Sequence, residues 1–144
     1  MGKRTSLEKN MNCLGLDFGE RRVGVASGDS EMRMAFPRET IDCKTQDLWL
    51  RLETLVKENR TQAFVVGMPY HPDGREDGKN KVVEVFIREL SEHFPELPIF
   101  TQDESYSSAA ALKQTSYLSK KKKKNKGIID QTAAAIILQS WFDR

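Results

Sequence analysis

Cysteine and histidine are scarce, with two of each in 144 residues. Cys13 lies in an apolar run and Cys43 in a polar one. Their spacing offers neither a zinc site nor a disulfide framework, so the expected setting is reducing and cytoplasmic. His71 and His93 do not make a His-rich centre with them, and any metal this chain needs must be held by oxygen. Long apolar runs are also missing. No window approaches the roughly 18 apolar residues of a membrane span, so no membrane partner is expected. The polar opening MGKRTSLEKN has no apolar signal region behind it. Aromatics are few, and Tyr70, Tyr106 and Tyr117 are too dispersed to form an RNA-stacking motif.

What is present fits one core. A hydrophobic share of 38% is enough for a globular domain of this length. Residues 1–12 read as a flexible N-terminal tail and 13–144 as a single domain. The net charge of +2 hides an uneven distribution: Lys120–Lys126 holds six lysines and no acid, which leaves 17 basic against 21 acidic residues elsewhere. Such a run is either a solvated loop or an attractor for a polyanion such as nucleic acid.

Periodicity gives the elements. Cys13–Phe18 alternates, with Leu14, Leu16 and Phe18 on one face and Cys13, Gly15 and Asp17 on the other. Gly19–Arg22 reads as a turn into a second strand, Val23–Ser27, and so as a hairpin. A third strand covers Met32–Ile41, where Pro37 argues for an edge. Helical spacing begins near Thr45 with Leu48, Trp49, Leu52, Leu55 and Val56. Ala63–Gly67 reads as a buried parallel strand, followed by a loop over Pro69–Gly78. A second helix carries Val83, Phe86, Leu90 and Phe94 on one face, and Ile99–Gln102 is another strand. A short helix capped by Ser107 or Ser108 runs to Leu118, and a last one covers Ile129 to about Phe142. Strands alternating with helices after an opening hairpin predict an α/β fold, a mixed sheet with helices on both faces.

Two acids are conspicuous against this pattern, and a third sits at a strand end. Asp130 shares its helix face with Ala133, Ala134, Ile137 and Trp141, where an unpaired carboxylate is costly to desolvate. It either caps the helix N-terminus or points at a cation. Asp17 closes an apolar strand, and either begins the turn by bonding its own backbone or faces a ligand. Glu104 follows the Ile99–Gln102 strand, at the kind of strand end where ligands gather in sheets with helical crossovers; the plainer reading is an exposed loop carboxylate. Together, clustered carboxylates suit Mg²⁺, and two such ions can hold both oxygens of a phosphoryl transfer.

Leu14-Gly15-Leu16-Asp17-Phe18-Gly19 with Arg22-Val23-Gly24-Val25-Ala26 resembles the opening motif of the YqgF/RuvX family. Gly67-Met68-Pro69 with Asp73-Gly74 and Gly78, Asp103-Glu104, and Lys126-Gly127-Ile128-Ile129-Asp130 with Ala133-Ala134 and Ile137-Leu138-Gln139 resemble its later motifs in order. The resemblance implies an RNase H-like fold with a five-stranded mixed sheet. It implies a Mg²⁺- or Mn²⁺-dependent endonuclease with two ions held by the catalytic acids Asp17, Glu104 and Asp130. The implied task is processing the five-prime end of the small-subunit ribosomal RNA precursor, and an older assignment is Holliday-junction resolution. Structured RNA is the expected partner ahead of DNA, with ribosomal particles in view and the chain a monomer or weak homodimer. Arg22, Arg75, Lys124 and Lys126 are the expected substrate-binding cations. One departure stands out: where the family usually has Arg after the glutamate, this chain has Ser105-Tyr106-Ser107-Ser108. That absence motivates the alternative of a catalytically weak nucleic-acid-binding module.

Overall fold

A computed structural model describes residues 10–69, 78–104 and 126–144. The expectations for residues 1–9, for most of the Pro69–Gly78 loop, for the helix over 107–118 and for Lys120–Lys124 fall outside these described residues.

The elements are β1 (Asn12–Phe18), β2 (Arg22–Asp29), β3 (Met34–Asp42), α1 (Leu48–Glu58), β4 (Ala63–Met68), α2 (Lys79–His93), β5 (Ile99–Asp103) and α3 (Lys126–Asp143). The sheet has five strands in the order β3-β2-β1-β4-β5. β1, β2 and β3 are antiparallel neighbours, while β1, β4 and β5 run parallel. The β1–β2 turn is closed by the Gly19 N–H donating to the Arg22 carbonyl at 2.9 Å.

Alternation along β1 decides the layers. Leu14 and Leu16, with Val23, Val25, Phe64 and Val66, pack under Leu52 and Leu55 of α1 and Val83, Phe86 and Leu90 of α2. Cys13, Ala26, Ala63 and Val65 on the opposite face pack under Ala134, Ile137, Leu138 and Trp141 of α3. The sheet is thus covered on both faces, and β4 is buried on both, which explains its unbroken apolar run. Among the described residues no helix is long and apolar enough to cross a membrane.

Several boundaries differ from expectation for local reasons. β1 starts at Asn12 and Met11 is buried, so the tail boundary drawn at residue 12 lies within the fold. β3 starts at Met34, because Arg33 turns into the left-handed region (φ 55°) and leaves Met32 in the turn. β3 pairs only with β2, and its register slips between Val25 and Ala26, with Pro37 opposite Ala26; a residue without an N–H sits at an edge and beside a bulge. α1 starts at Leu48, capped by Asp47, whose carboxylate accepts from the Trp49 and Leu50 N–H groups at 3.0 and 3.2 Å. α3 starts at Lys126, ahead of the expected Ile129, with consequences for Asp130.

Candidate active site

The parallel strands β1, β4 and β5 finish at one edge of the sheet, with Asp17 next to last in β1 and Asp103 last in β5. The antiparallel β2 begins at that edge with Arg22. Asp17 lies on the α3 face of β1, as the alternation predicts, and is partly buried.

Its neighbours across the sheet are glycines. Gly24 of β2 stands directly opposite Asp17, and on β4 the pairing of Leu16 with Val66 brings Gly67 to the next step. A Cβ on Gly24 would run into the main-chain carbonyl of Asp130. A Cβ on Gly67 would lie 2.6 Å from Oε2 of Glu104 and 2.5 Å from Cδ1 of Ile137. The two bare positions therefore admit the first turns of α3 on one side of Asp17 and the Glu104 carboxylate on the other. Glu104 is anchored in turn by its N–H, which donates to the Met68 carbonyl at 3.1 Å and carries the β4–β5 ladder one residue beyond β5.

These placements bring the three acids into mutual influence. Burial pushes the Asp17 carboxyl up to about 8; repulsion from Glu104, a hydrogen bond shared with Glu104 and repulsion from Asp130 add to it. Near neutral pH the Asp17–Glu104 pair accordingly retains a proton. Asp130 has a different partner: the Arg22 Nε donates to its Oδ2 at 2.8 Å. Because α3 begins at Lys126, Asp130 falls in the second turn and is not the helix cap. The capping alternative is corrected on that ground.

Among the described residues, no group of three or more His, Cys, Asp or Glu side chains is gathered closely enough to hold a metal ion as it stands. Asp17 and Glu104 are in hydrogen-bond contact, whereas Asp130 is turned onto Arg22. The donor chemistry nonetheless fits a hard divalent cation. The donors are all oxygen; burial and mutual repulsion raise the Asp17 carboxyl, and Asp130 is paired with the Arg22 guanidinium.

Of the expected substrate cations, Arg22 stands at this edge, engaged with Asp130. Lys126 is the first residue of α3, while Arg75 and Lys124, like Ser105, fall outside the described residues. The residues that pattern reading passed over are Gly24 and Gly67. A glycine inside an apolar strand signals close approach by another backbone or a ligand, and both carry that signal.

The model of the family described as RuvX: Holliday junction resolvase matches residues 11–144. The chain is 39% identical over 138 residues to a protein of Crocosphaera subtropica named as a pre-16S rRNA nuclease, covering 94% of this chain and 95% of that one. A protein of Chromobacterium violaceum with the same name is 37% identical over 133 residues, covering 91% and 96%. Among solved structures, the fold is similar to Thermus thermophilus RuvC in complex with a Holliday junction substrate. The TM-score is 0.56 at 15% identity, over 92% of this chain and 94% of that one. That likeness is one of fold, and the fold is RNase H-like.

Proposed function

Because the chain belongs to the RuvX family, we propose that it is a divalent-metal-dependent nuclease that hydrolyses phosphodiester bonds and matures the five-prime end of the small-subunit ribosomal RNA precursor. What carries the reading is the relation among the acids: Gly24 and Gly67, the bare positions beside Asp17 on β2 and β4, face the Asp130 main chain and the Glu104 carboxylate, and the nearness of both acids helps to push the Asp17 carboxyl up. Asp17, Glu104 and Asp130 would hold Mg²⁺ or Mn²⁺, two ions in the active enzyme. When bound, such ions neutralise the phosphoryl oxygens and orient an in-line displacement at phosphorus. The chain's own part is to keep the acids at one sheet edge, to give up the proton held by Asp17 and Glu104, and to hold the phosphate backbone. That last task belongs to Arg22, Arg75, Lys124 and Lys126, the lysines acting in a salt-dependent way through the charge concentrated at 120–126. The names of the relatives support an RNA substrate.

A second substrate has support of its own, since the family description names Holliday junction resolution and the fold is that of RuvC. The test therefore sets a precursor RNA beside a four-way DNA junction, each with Mg²⁺, Mn²⁺ or EDTA. Wild type is expected to cut the RNA with either ion and not with EDTA. Asp17→Asn is expected to lose more than ~100-fold in cleavage while still folding and binding RNA. Metal-dependent cleavage retained by purified Asp17→Asn protein overturns the site, and cleavage of the junction alone overturns the substrate.

A further inference from the structure

Two arginine–carboxylate pairs in this fold are built differently. Arg51 grips Glu39 with a fork: its Nε donates to Oε2 at 2.8 Å and its Nη2 to Oε1 at 2.6 Å, so both oxygens are taken. Arg22 meets Asp130 at a single point, Nε on Oδ2 at 2.8 Å. The first pair ties α1 to the edge strand β3 as a fixed clamp. The second is a single, exchangeable contact between half-buried groups, 31% and 25% exposed, at the lip of the acid cluster. Arg21 does not compete for Asp130, because it reaches Asp42 at 4.0 Å.

We infer that Arg22 is the resident counter-ion of Asp130, a positioning residue that an incoming divalent cation must compete with, and that it thereby sets the metal affinity of the site. The inference rests on the acid cluster being the metal site. A guanidinium on one carboxylate oxygen satisfies Asp130 and stops its charge from adding in full to that of Asp17 and Glu104. The same positive charge opposes a second cation at short range. Arg22 thus trades metal affinity for stability of the metal-free protein.

Calcium binding by calorimetry, on the full chain and without nucleic acid, tests this. Arg22→Gln is expected to bind Ca²⁺ about 10-fold more tightly than wild type and to melt lower than wild type without metal, the gap closing at saturating Ca²⁺. Arg22→Lys keeps the charge while losing the Nε donor, and is expected to stay within about threefold of wild-type affinity. A readout independent of how the variants fold is the Arg22 Nε–H resonance of wild type, which is expected to shift as Ca²⁺ is added. An unmoved resonance through saturation overturns the inference, as does Ca²⁺ affinity that is unchanged or weaker in Arg22→Gln. If Asp17→Asn abolishes binding while Arg22→Gln leaves it unaltered, the role of Arg22 fails alone. Calcium binding that survives Asp17→Asn removes the site itself, and the counter-ion role with it.

Discussion

The main-chain carbonyl of Asp130 occupies the space that a side chain on Gly24 would need. The obstacle is helix backbone, which cannot swing aside, so even a methyl group must push the start of α3 off the sheet. Gly24→Ala is therefore expected to destabilise the fold by about 3 kcal/mol, the upper end of ordinary overpacking. It should also carry Asp130 away from Asp17 and cut cleavage severely. Urea denaturation measures the first effect and a cleavage assay the second. A stability change within about 0.5 kcal/mol would mean that α3 does not rest on β2 as described.

Gly67 makes the contrasting case. The atoms that a Cβ would meet there are side-chain ends, Oε2 of Glu104 and Cδ1 of Ile137. Both can rotate away, so Gly67→Ala is expected to cost no more than about 1 kcal/mol. The Glu104 carboxylate must leave its place beside Asp17, however, and cleavage should fall by about 10-fold or more. Denaturation and cleavage measured on the same preparation check the pair. Gly24→Ala should lose stability and activity together, and Gly67→Ala mainly activity. Full activity in Gly67→Ala would show that Glu104 does not work from that position.

These glycines also mark the limit of what was legible in the sequence. Two-residue alternation placed Leu14 and Leu16 on one face of β1 and Asp17 on the other, and both layers of the fold follow from it. Pro37 marked the edge strand, and the spacing of Val83, Phe86 and Leu90 marked the buried face of α2. Asp130 was open to two readings because a cap is defined by where the helix starts, and the polar Lys126–Gly127 start carries no hydrophobic period to reveal that. Glu104 looked unremarkable because its role depends on β4–β5 pairing between residues 35 apart in the chain, a contact that local patterns do not encode. The family resemblance supplied what spacing could not. The single contact of Arg22 on Asp130 was visible to neither, since it depends on how two distant elements meet.

The raised Asp17 pKa makes stability depend on pH in a definite direction. An aspartate titrates near 3.8 when unperturbed, and this one is pushed up to about 8 in the fold. Between those values the folded chain binds more protons than the unfolded one, so stability falls as pH rises. The penalty begins above the unfolded value and is complete once the pH exceeds the folded one; the titration belongs to the Asp17–Glu104 pair. Metal-free protein is therefore expected to melt at a lower temperature at pH 9 than at pH 6. Mg²⁺ should raise the melting temperature more at pH 9, where it has no proton to displace. Asp17→Asn should flatten the pH slope and gain stability at high pH while losing cleavage. Parallel pH profiles for wild type and Asp17→Asn would show that burial beside Glu104 does not raise the Asp17 carboxyl in solution.

The opposite face of β1 holds the acid from behind. Phe18 follows Asp17 in the chain and stacks on Phe86 of α2, with ring centroids 4.3 Å apart; Phe86 in turn lies 5.9 Å from the Trp49 ring. Phe86 is 1% exposed, so truncation leaves a cavity under the end of β1 that neighbouring rings fill only in part. Phe86→Ala is expected to cost about 3–5 kcal/mol, or a drop in melting temperature on the order of 10 °C. Phe86→Leu keeps most of the volume and should cost less than about 1.5 kcal/mol. The effect on chemistry separates packing from positioning. If Phe18 merely fills space, both variants should cleave at the wild-type rate well below their melting temperatures. If the stack fixes the end of β1, Phe86→Ala should be slower even when fully folded, because the Asp17 carboxylate is then held less firmly against Glu104. Cleavage rates measured at one temperature, about 20 °C below the lowest of the melting temperatures, decide between the two, and the stacked geometry favours the second.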